Sequence, residues 1–312
     1  MRGRMRIAVV GAGGVGGYFG GRLAAAGTDV AFLARGAHLE AMRSRGLTIR
    51  SYKGDLHLPR VNATDDPSAI GPVDVVLFTV KLYDVEPATA LLPPLIGPDT
   101  VVIPLQNGVE AVDLVSRAAG RAHTAGGTVY IAAVIAEPGV IRHSALEHLL
   151  FGEIDGARSA RLEHLHAACA RAGVQATLSD RINVDIWTKF VRLSVFSGVT
   201  GVTRCPVGPI VADPELIAMV KTAIREAMAV ARAKGVAVPD EVADDVERSY
   251  AALPPQMKSS LLEDLERGRP LELPWLSGAV VRIGREIGVA TPTHQFIATV
   301  LKPHVNGRTT PP

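Results

Sequence analysis

The apolar run Ile7-Ala8-Val9-Val10 leads directly into Gly11-Ala12-Gly13-Gly14-Val15-Gly16, and a second apolar run, Val30-Ala31-Phe32-Leu33-Ala34, follows one helix-length later. Strand, glycine turn, helix and strand in that order form the dinucleotide-binding pattern in its structural context. Gly11 permits the tight strand-to-helix turn. Gly13 lets backbone approach a pyrophosphate, and Gly16 lets the helix pack closely on the strand. Loop N–H groups are thereby aimed at an anion, which makes Gly11, Ala12, Gly13, Gly14, Val15 and Gly16 candidate cofactor contacts.

The end of the second strand selects the cofactor. An NAD enzyme carries Asp or Glu there for the ribose 2′-hydroxyl, but this chain carries Arg35. A guanidinium suits a 2′-phosphate, which it can hold through bidentate charge-assisted hydrogen bonds, so the expected cofactor is NADPH/NADP rather than NAD. A solvated surface arginine is the alternative. Asp29 is read as a turn residue preceding the strand, carried to the opposite edge of the sheet at ~3.3 Å per residue.

At 312 residues and 47% hydrophobic content, the chain can fill two cores. Its 33 basic and 31 acidic residues are interspersed and leave a formal net charge of +2, so composition makes no case for nucleic acid or a membrane surface. Cys169 and Cys205 form neither a metal-ligand spacing nor a disulfide framework, and no metal is expected. Met1-Arg2-Gly3-Arg4-Met5 lacks an apolar signal core, and no apolar stretch approaches the ~20 residues of a membrane span. A cytoplasmic protein is expected.

Asp74-Val75-Val76-Leu77-Phe78-Thr79-Val80 and Thr100-Val101-Val102-Ile103-Pro104-Leu105 read as further buried parallel strands. Residues 126–141, with a Pro138-Gly139 turn, and 147–151 read as antiparallel pieces extending the same sheet. From about Asp180 strand-like runs give way to helical segments near 181–200, 213–234, 240–252, 256–267, 274–287 and 292–301. The expected fold is α/β: a Rossmann-type doubly wound sheet over residues 1–178, followed by an all-helical domain over residues 179–312. The tail from Asn306 to Pro312 is expected to fray.

Lys81 and the triplet Gln106-Asn107-Gly108 fall after parallel strands, where ligands of such sheets bind. Lys81 is a candidate donor to the cofactor or else a surface lysine. Asn107 offers a donor and an acceptor to cofactor or substrate, or else forms a turn before Gly108. In the helical half, Lys189, Leu193 and Ser197 recur every four residues, so Lys189 shares a face with uncharged neighbours and is either snorkelling or functional. Glu272 stands among apolar residues in Pro270-Leu271-Glu272-Leu273-Pro274, with a role as catalytic partner or as a charge at a helix N-terminus.

These residues resemble the ketopantoate reductase (2-dehydropantoate 2-reductase) family over nearly the whole chain. The resemblance is carried, in order, by the glycine loop with Arg35, Thr79-Val80-Lys81, Leu105-Gln106-Asn107-Gly108, Trp187-Thr188-Lys189-Phe190, Cys205-Pro206, Ser260-Leu261-Leu262-Glu263-Asp264 and Leu271-Glu272. It implies an NADP-dependent oxidoreductase that reduces the 2-keto group of a small carboxylic acid, as in pantothenate biosynthesis. Lys189 would stand at the catalytic lysine position and polarise the ketone. Glu272 would hold the lysine or cofactor, Ser260 would bind the substrate carboxylate, Lys81 and Asn107 would align nicotinamide and substrate, and Ala133 would lie by the cofactor.

The chain departs from that family at three positions. Leu193 and Ser197 stand where members commonly carry asparagines four and eight residues after the lysine, and Val207 stands at a further asparagine position. An unpaired polar group in a closed site costs roughly 1–3 kcal/mol, so these changes point away from 2-dehydropantoate itself and towards a more hydrophobic 2-oxo acid, or towards a substrate whose polar groups are met by other residues. An NADPH-binding sensor without turnover is the reading from another class, opposed by retention of Lys189 and Glu272. A homodimer is the expected assembly.

Overall fold

The computed structural model describes residues 4–308; residues 309–312 of the tail expected to fray lie outside the described residues. By its contacts the chain forms two units, Met1–Gln106 with Glu110–Ile182, and Asn107–Val109 with Asn183–Pro312. Ser179 N–H donates to the carbonyl of Phe151 (2.8 Å) and prolongs the sheet edge within the first unit.

Among its described residues the first unit holds ten strands: β1 (Arg6–Val10), β2 (Asp29–Leu33), β3 (Leu47–Ser51), β4 (Leu56–Leu58), β5 (Asn62–Thr64), β6 (Val73–Phe78), β7 (Ile96–Pro104), β8 (Gly126–Glu137), β9 (Val140–Gly152) and β10 (Ala176–Leu178). One sheet is wholly parallel in the order β5-β2-β1-β6-β7. The chain leaves β1 towards β2 on one side and returns through β6 on the other. The carboxyl ends of β1 and β6 therefore flank the switch point at which open α/β sheets bind ligands.

The antiparallel pieces do not extend this sheet, as the sequence suggested. Residues 140–152 form one strand instead of two. It pairs with β8 through a tight turn at Gly139 (φ +83°) and takes β3 and β10 as parallel partners, building a second five-stranded sheet. Leu146 (φ +58°) marks the register shift that splits the apparent pattern at 147–151. The helix Gly14–Ala25 contacts strands of both sheets. A Cβ on its Gly20 would meet Phe32 (2.6 Å) and Val9 (2.8 Å) of the first sheet, whereas one on Gly17 would meet Ile141 (2.8 Å) of the second. Glycines that cost the helix about 1 kcal/mol each in propensity thus let one helix serve two sheets.

The second unit is helical, with its main helices at Ile182–Thr203, Pro214–Ala233, Ser260–Glu266, Ser277–Ile287 and Pro292–Leu301. Phe190, Val195, Val199, Ile224, Val280 and Ile297 lie in its buried core. The segment expected near 240–252 breaks at Asp245 into two short helices, and a turn of helix at Val207–Ala212, not anticipated from sequence, follows Pro206. His294 is buried: its Nε2 donates to the Ala223 carbonyl (3.0 Å), which leaves Nδ1 to accept from the Ser277 hydroxyl (3.2 Å). Among the described residues no helix is long and apolar enough to cross a membrane.

Candidate active site

The glycine loop takes the shape that its residue types dictate. Gly11 adopts φ +97°, a left-handed conformation costly for a residue with a Cβ. Thr79 Oγ1 donates to the Gly11 carbonyl (2.6 Å), and Thr79 N–H donates to that of Val10 (2.8 Å), which ties the loop to the end of β6. A Cβ on Gly16 would collide with the Gly11 carbonyl and Thr79 Oγ1 and approach Val9 to 2.7 Å. A Cβ on Gly13 would meet nothing within 4 Å. Gly16 therefore serves packing, while Gly13 faces open space at the helix start. Gly13 is the N-cap of Gly14–Ala25 and offers no side chain to the first-turn donors, and that turn carries no acidic residue. The cradle fits the pyrophosphate of a dinucleotide.

Ala12 is buried and Val15 is partly buried, so these two contribute backbone and packing at the loop. Ala133, on β8, places its carbonyl where a side chain on Gly14 would go. Lys81 is exposed just beyond β6. Arg35 is the N-cap residue of the helix Gly36–Arg45, and its side chain is 85% exposed. Its guanidinium pairs with Asp84 at 3.0 Å, a partner that sequence reasoning missed. Asp29 does not precede β2, as expected, but is its first residue, where it pairs with Arg6 at 3.5 Å. It still stands at the end of the strand opposite Arg35.

In the helical unit a single side chain joins the lysine to the carboxylate. Lys189 Nζ donates to Asn107 Oδ1 (2.9 Å), and Asn107 Nδ2 donates to Glu272 Oε2 (3.1 Å). An ammonium only donates and a carboxylate only accepts, so this amide orientation is the one that satisfies both. Asn107 is held on either side. Gln106 Nε2 donates to the carbonyls of Phe78 (2.9 Å) and Val80 (3.1 Å), and Gly108 turns the chain at φ +87°. Both earlier readings of Asn107, as a cofactor or substrate contact and as a turn former, left out its place between Lys189 and Glu272.

Glu272 is buried between Leu271 and Leu273 at the start of a short 3-10 turn. Lys189 as a whole residue is half-buried, but its ammonium is the enclosed end, and desolvation brings its pKa from the ordinary lysine value of 10.5 down to about 8. The Glu272 carboxylate opposes that fall. The result is an ammonium that is protonated near neutrality yet gives up its proton more readily than a surface lysine.

The remaining predicted positions differ in access. Leu193 is partly buried against the helical core. Ser197 is fully buried, and among the described residues its hydroxyl has no hydrogen-bond partner. Val207 is buried at the start of its helix. Ser260 is exposed at the first residue of Ser260–Glu266; its neighbour Ser259, buried, caps that helix and bonds Thr200 at 2.6 Å.

The model of the family "Ketopantoate reductase PanE/ApbA" matches residues 7–156, and that of its C-terminal domain matches residues 181–305. A 2-dehydropantoate 2-reductase of Mesorhizobium japonicum is 34% identical, with 96% of this chain and 97% of the relative covered. An uncharacterized oxidoreductase of Bacillus subtilis, YkpB, is 32% identical over 94% of this chain and 96% of its own length. The crystal structure of a PanE/ApbA family ketopantoate reductase from Ralstonia eutropha JMP134 superposes with a TM-score of 0.88 at 33% identity, covering 96% of this chain and 98% of that one. These likenesses define the class, an oxidoreductase with a Rossmann-type parallel sheet and a helical C-terminal domain. The chain belongs to the ketopantoate reductase family.

Proposed function

We propose that this protein is an NADPH-dependent reductase of a 2-oxo acid, converting 2-dehydropantoate to pantoate or acting on a related, more hydrophobic 2-oxo acid. The observation that carries the reading is the chain of hydrogen bonds from Lys189 through Asn107 to Glu272. A nicotinamide held at the glycine loop would supply the hydride for the carbonyl carbon. The Lys189 ammonium hydrogen-bonds the carbonyl oxygen and protonates it as negative charge builds there, so no free alkoxide has to form. Lys189 is left neutral and regains its proton from solvent.

Asn107 and Glu272 act on that lysine. The amide fixes where the ammonium points, and the carboxylate keeps enough positive charge on it to act as an acid. Ser260 is assigned to the substrate carboxylate. The apolar Leu193, one helical turn after Lys189 on Ile182–Thr203, favours an aliphatic or aromatic substrate side chain. The turn built by Gly11, Ala12, Gly13, Gly14, Val15 and Gly16 receives the pyrophosphate at its open side by Gly13, where the first-turn N–H groups of the helix are offered, while the N–H groups of Gly11 and Ala12 donate to the Leu33 carbonyl (3.1 and 3.2 Å) and shape the turn. Arg35 receives the 2′-phosphate, and Lys81 and Ala133 complete the cofactor contacts. A homodimer in the cytoplasm is the proposed form, in keeping with two cysteines that form no disulfide.

An NADPH oxidation assay against a panel of 2-oxo acids tests this reading. Turnover of at least one of them is expected, with kcat/KM higher for a bulky aliphatic or aromatic 2-oxo acid than for 2-dehydropantoate. The reverse ranking removes the hydrophobic preference. Loss of turnover in Lys189→Ala with NADPH binding retained rejects a non-catalytic sensor, whereas absence of turnover with every acid in the panel rejects the reductase.

A further inference from the structure

The helical unit contains a second concentration of positive charge that the proposed reaction does not use. A surface cavity of about 240 Å³ is lined by Arg204, Leu265, Gly268, Arg269, His304, Gly307 and Arg308. Arg204 directly follows the helix Ile182–Thr203, which places it 15 residues beyond Lys189 and about 22 Å further along at 1.5 Å per residue. The cavity is therefore separate from the candidate active site.

Its walls are built by close backbone approach. Arg308 N–H donates to the Gly268 carbonyl (3.0 Å), and Leu271 N–H donates to that of Val305 (2.8 Å), so the segment after Pro292–Leu301 is bound to the loop after Ser260–Glu266. A Cβ on Gly268 would meet the Arg308 side chain at 2.7 Å, and one on Gly307 would meet the Gly268 carbonyl at 2.6 Å. Both glycines have positive φ, +65° and +81°. Arg204 is itself in the left-handed region at φ +57°, a conformation unfavourable for a non-glycine residue. Such strain collects where function needs a side chain held in place.

The charges in the cavity are poorly balanced. Arg269 has a long contact with Asp264 (3.9 Å), while among the described residues the guanidinia of Arg204 and Arg308 have no carboxylate partner. Arg204 Nη2 lies 3.4 Å from His304 Nε2; since a guanidinium only donates, that nitrogen is the acceptor. Three guanidinia around one hollow repel one another until an anion enters, and their planar forks match the oxygens of a phosphoryl group. At about 30 Å³ per water, the volume admits a phosphoryl group with a small organic substituent.

We propose that this cavity is a binding site for a phosphomonoester, with the phosphoryl group held by Arg204, Arg269 and Arg308. Calorimetric titration of the full chain with glycerol 3-phosphate and with inorganic phosphate, at constant ionic strength, tests it in wild type, Arg35→Ala, Arg204→Gln and Arg308→Gln. Saturable binding is expected in wild type and in Arg35→Ala, weakened about tenfold or more in each of the other two variants, whose NADPH affinity and melting temperature stay at wild-type values. Tighter binding of glycerol 3-phosphate than of phosphate identifies an ester as the natural occupant, and equal binding identifies free phosphate. The proposal is overturned by absence of saturable binding, or by binding that Arg204→Gln and Arg308→Gln leave intact. Should one variant fail to fold, the other carries the same comparison.

Discussion

Lys189 Nζ lies 2.9 Å from the side-chain oxygen of Asn107, and through that amide the lysine is coupled to a buried carboxylate 83 residues further along the chain. Burial and the Glu272 charge set the acid strength of Lys189, and Asn107 sets where its ammonium points. Reduction needs the protonated lysine, so kcat/KM should be level at lower pH and fall as pH rises through about 8. Glu272→Gln removes the charge that holds this pKa up and should move the inflection to lower pH. An inflection that stays in place in the variant would disconnect Glu272 from the proton donor.

Asn107→Ala separates positioning from cofactor binding. A lost orienting hydrogen bond should lower kcat roughly 10–100-fold while the dissociation constant for NADPH changes little. Fluorescence titration of NADPH beside steady-state kinetics reads both. A parallel loss in NADPH affinity would return Asn107 to the cofactor.

Gly13→Ala and Gly16→Ala should fail in opposite ways. Nothing stands near a Cβ at Gly13, so that variant should melt close to wild type but bind NADPH more weakly. At Gly16 the added methyl group collides with the Gly11 carbonyl and Thr79, and overpacking of this kind costs about 1–3 kcal/mol. Thermal denaturation with and without NADPH distinguishes the two.

Arg35 and Asp84 form an exposed ion pair at 3.0 Å, of little weight for stability but relevant to cofactor choice. Arg35→Ala should weaken NADPH binding about 10–100-fold and leave NADH binding nearly unchanged, as expected for the loss of a charged hydrogen-bonded partner. Asp84→Asn removes a carboxylate that competes for the same guanidinium, so NADPH should bind more tightly. Equal effects on both nucleotides would take the 2′-phosphate away from Arg35.

His294 gives the helical unit an acid limit. Burial lowers its pKa from 6.5 to about 4, so the unfolded chain binds a proton that the folded chain refuses between those values. Stability from this residue is present above pH 6.5 and is lost as pH falls towards 4, with an amplitude on the order of 3 kcal/mol. Urea denaturation across this range should show the decline, and His294→Gln should flatten it.

The parallel sheet and glycine loop were legible because a strand, a glycine turn and a helix are local patterns. The second sheet was not, since β9 binds partners far before and after it in sequence, and the bulge at Leu146 interrupts its alternation. Lys189 and Glu272 stood out as charges among apolar neighbours. Nothing near Asn107 in sequence points to its bonding partners, which are 82 and 165 residues away. The Asp84 contact of Arg35 was hidden for the same reason, at a separation of 49 residues.

The three residues Asn107–Val109 group with the helical unit, while the chain on both sides of them groups with the sheets. A gene cut at residue 183 would carry Lys189 and Glu272 into a hybrid and leave them to the residue that the other parent has at position 107. Exchange of helical halves should therefore give active hybrids where both parents carry asparagine at position 107. The unit of inheritance for this chemistry is a discontinuous one, a long segment and a short inlay, which have to change together.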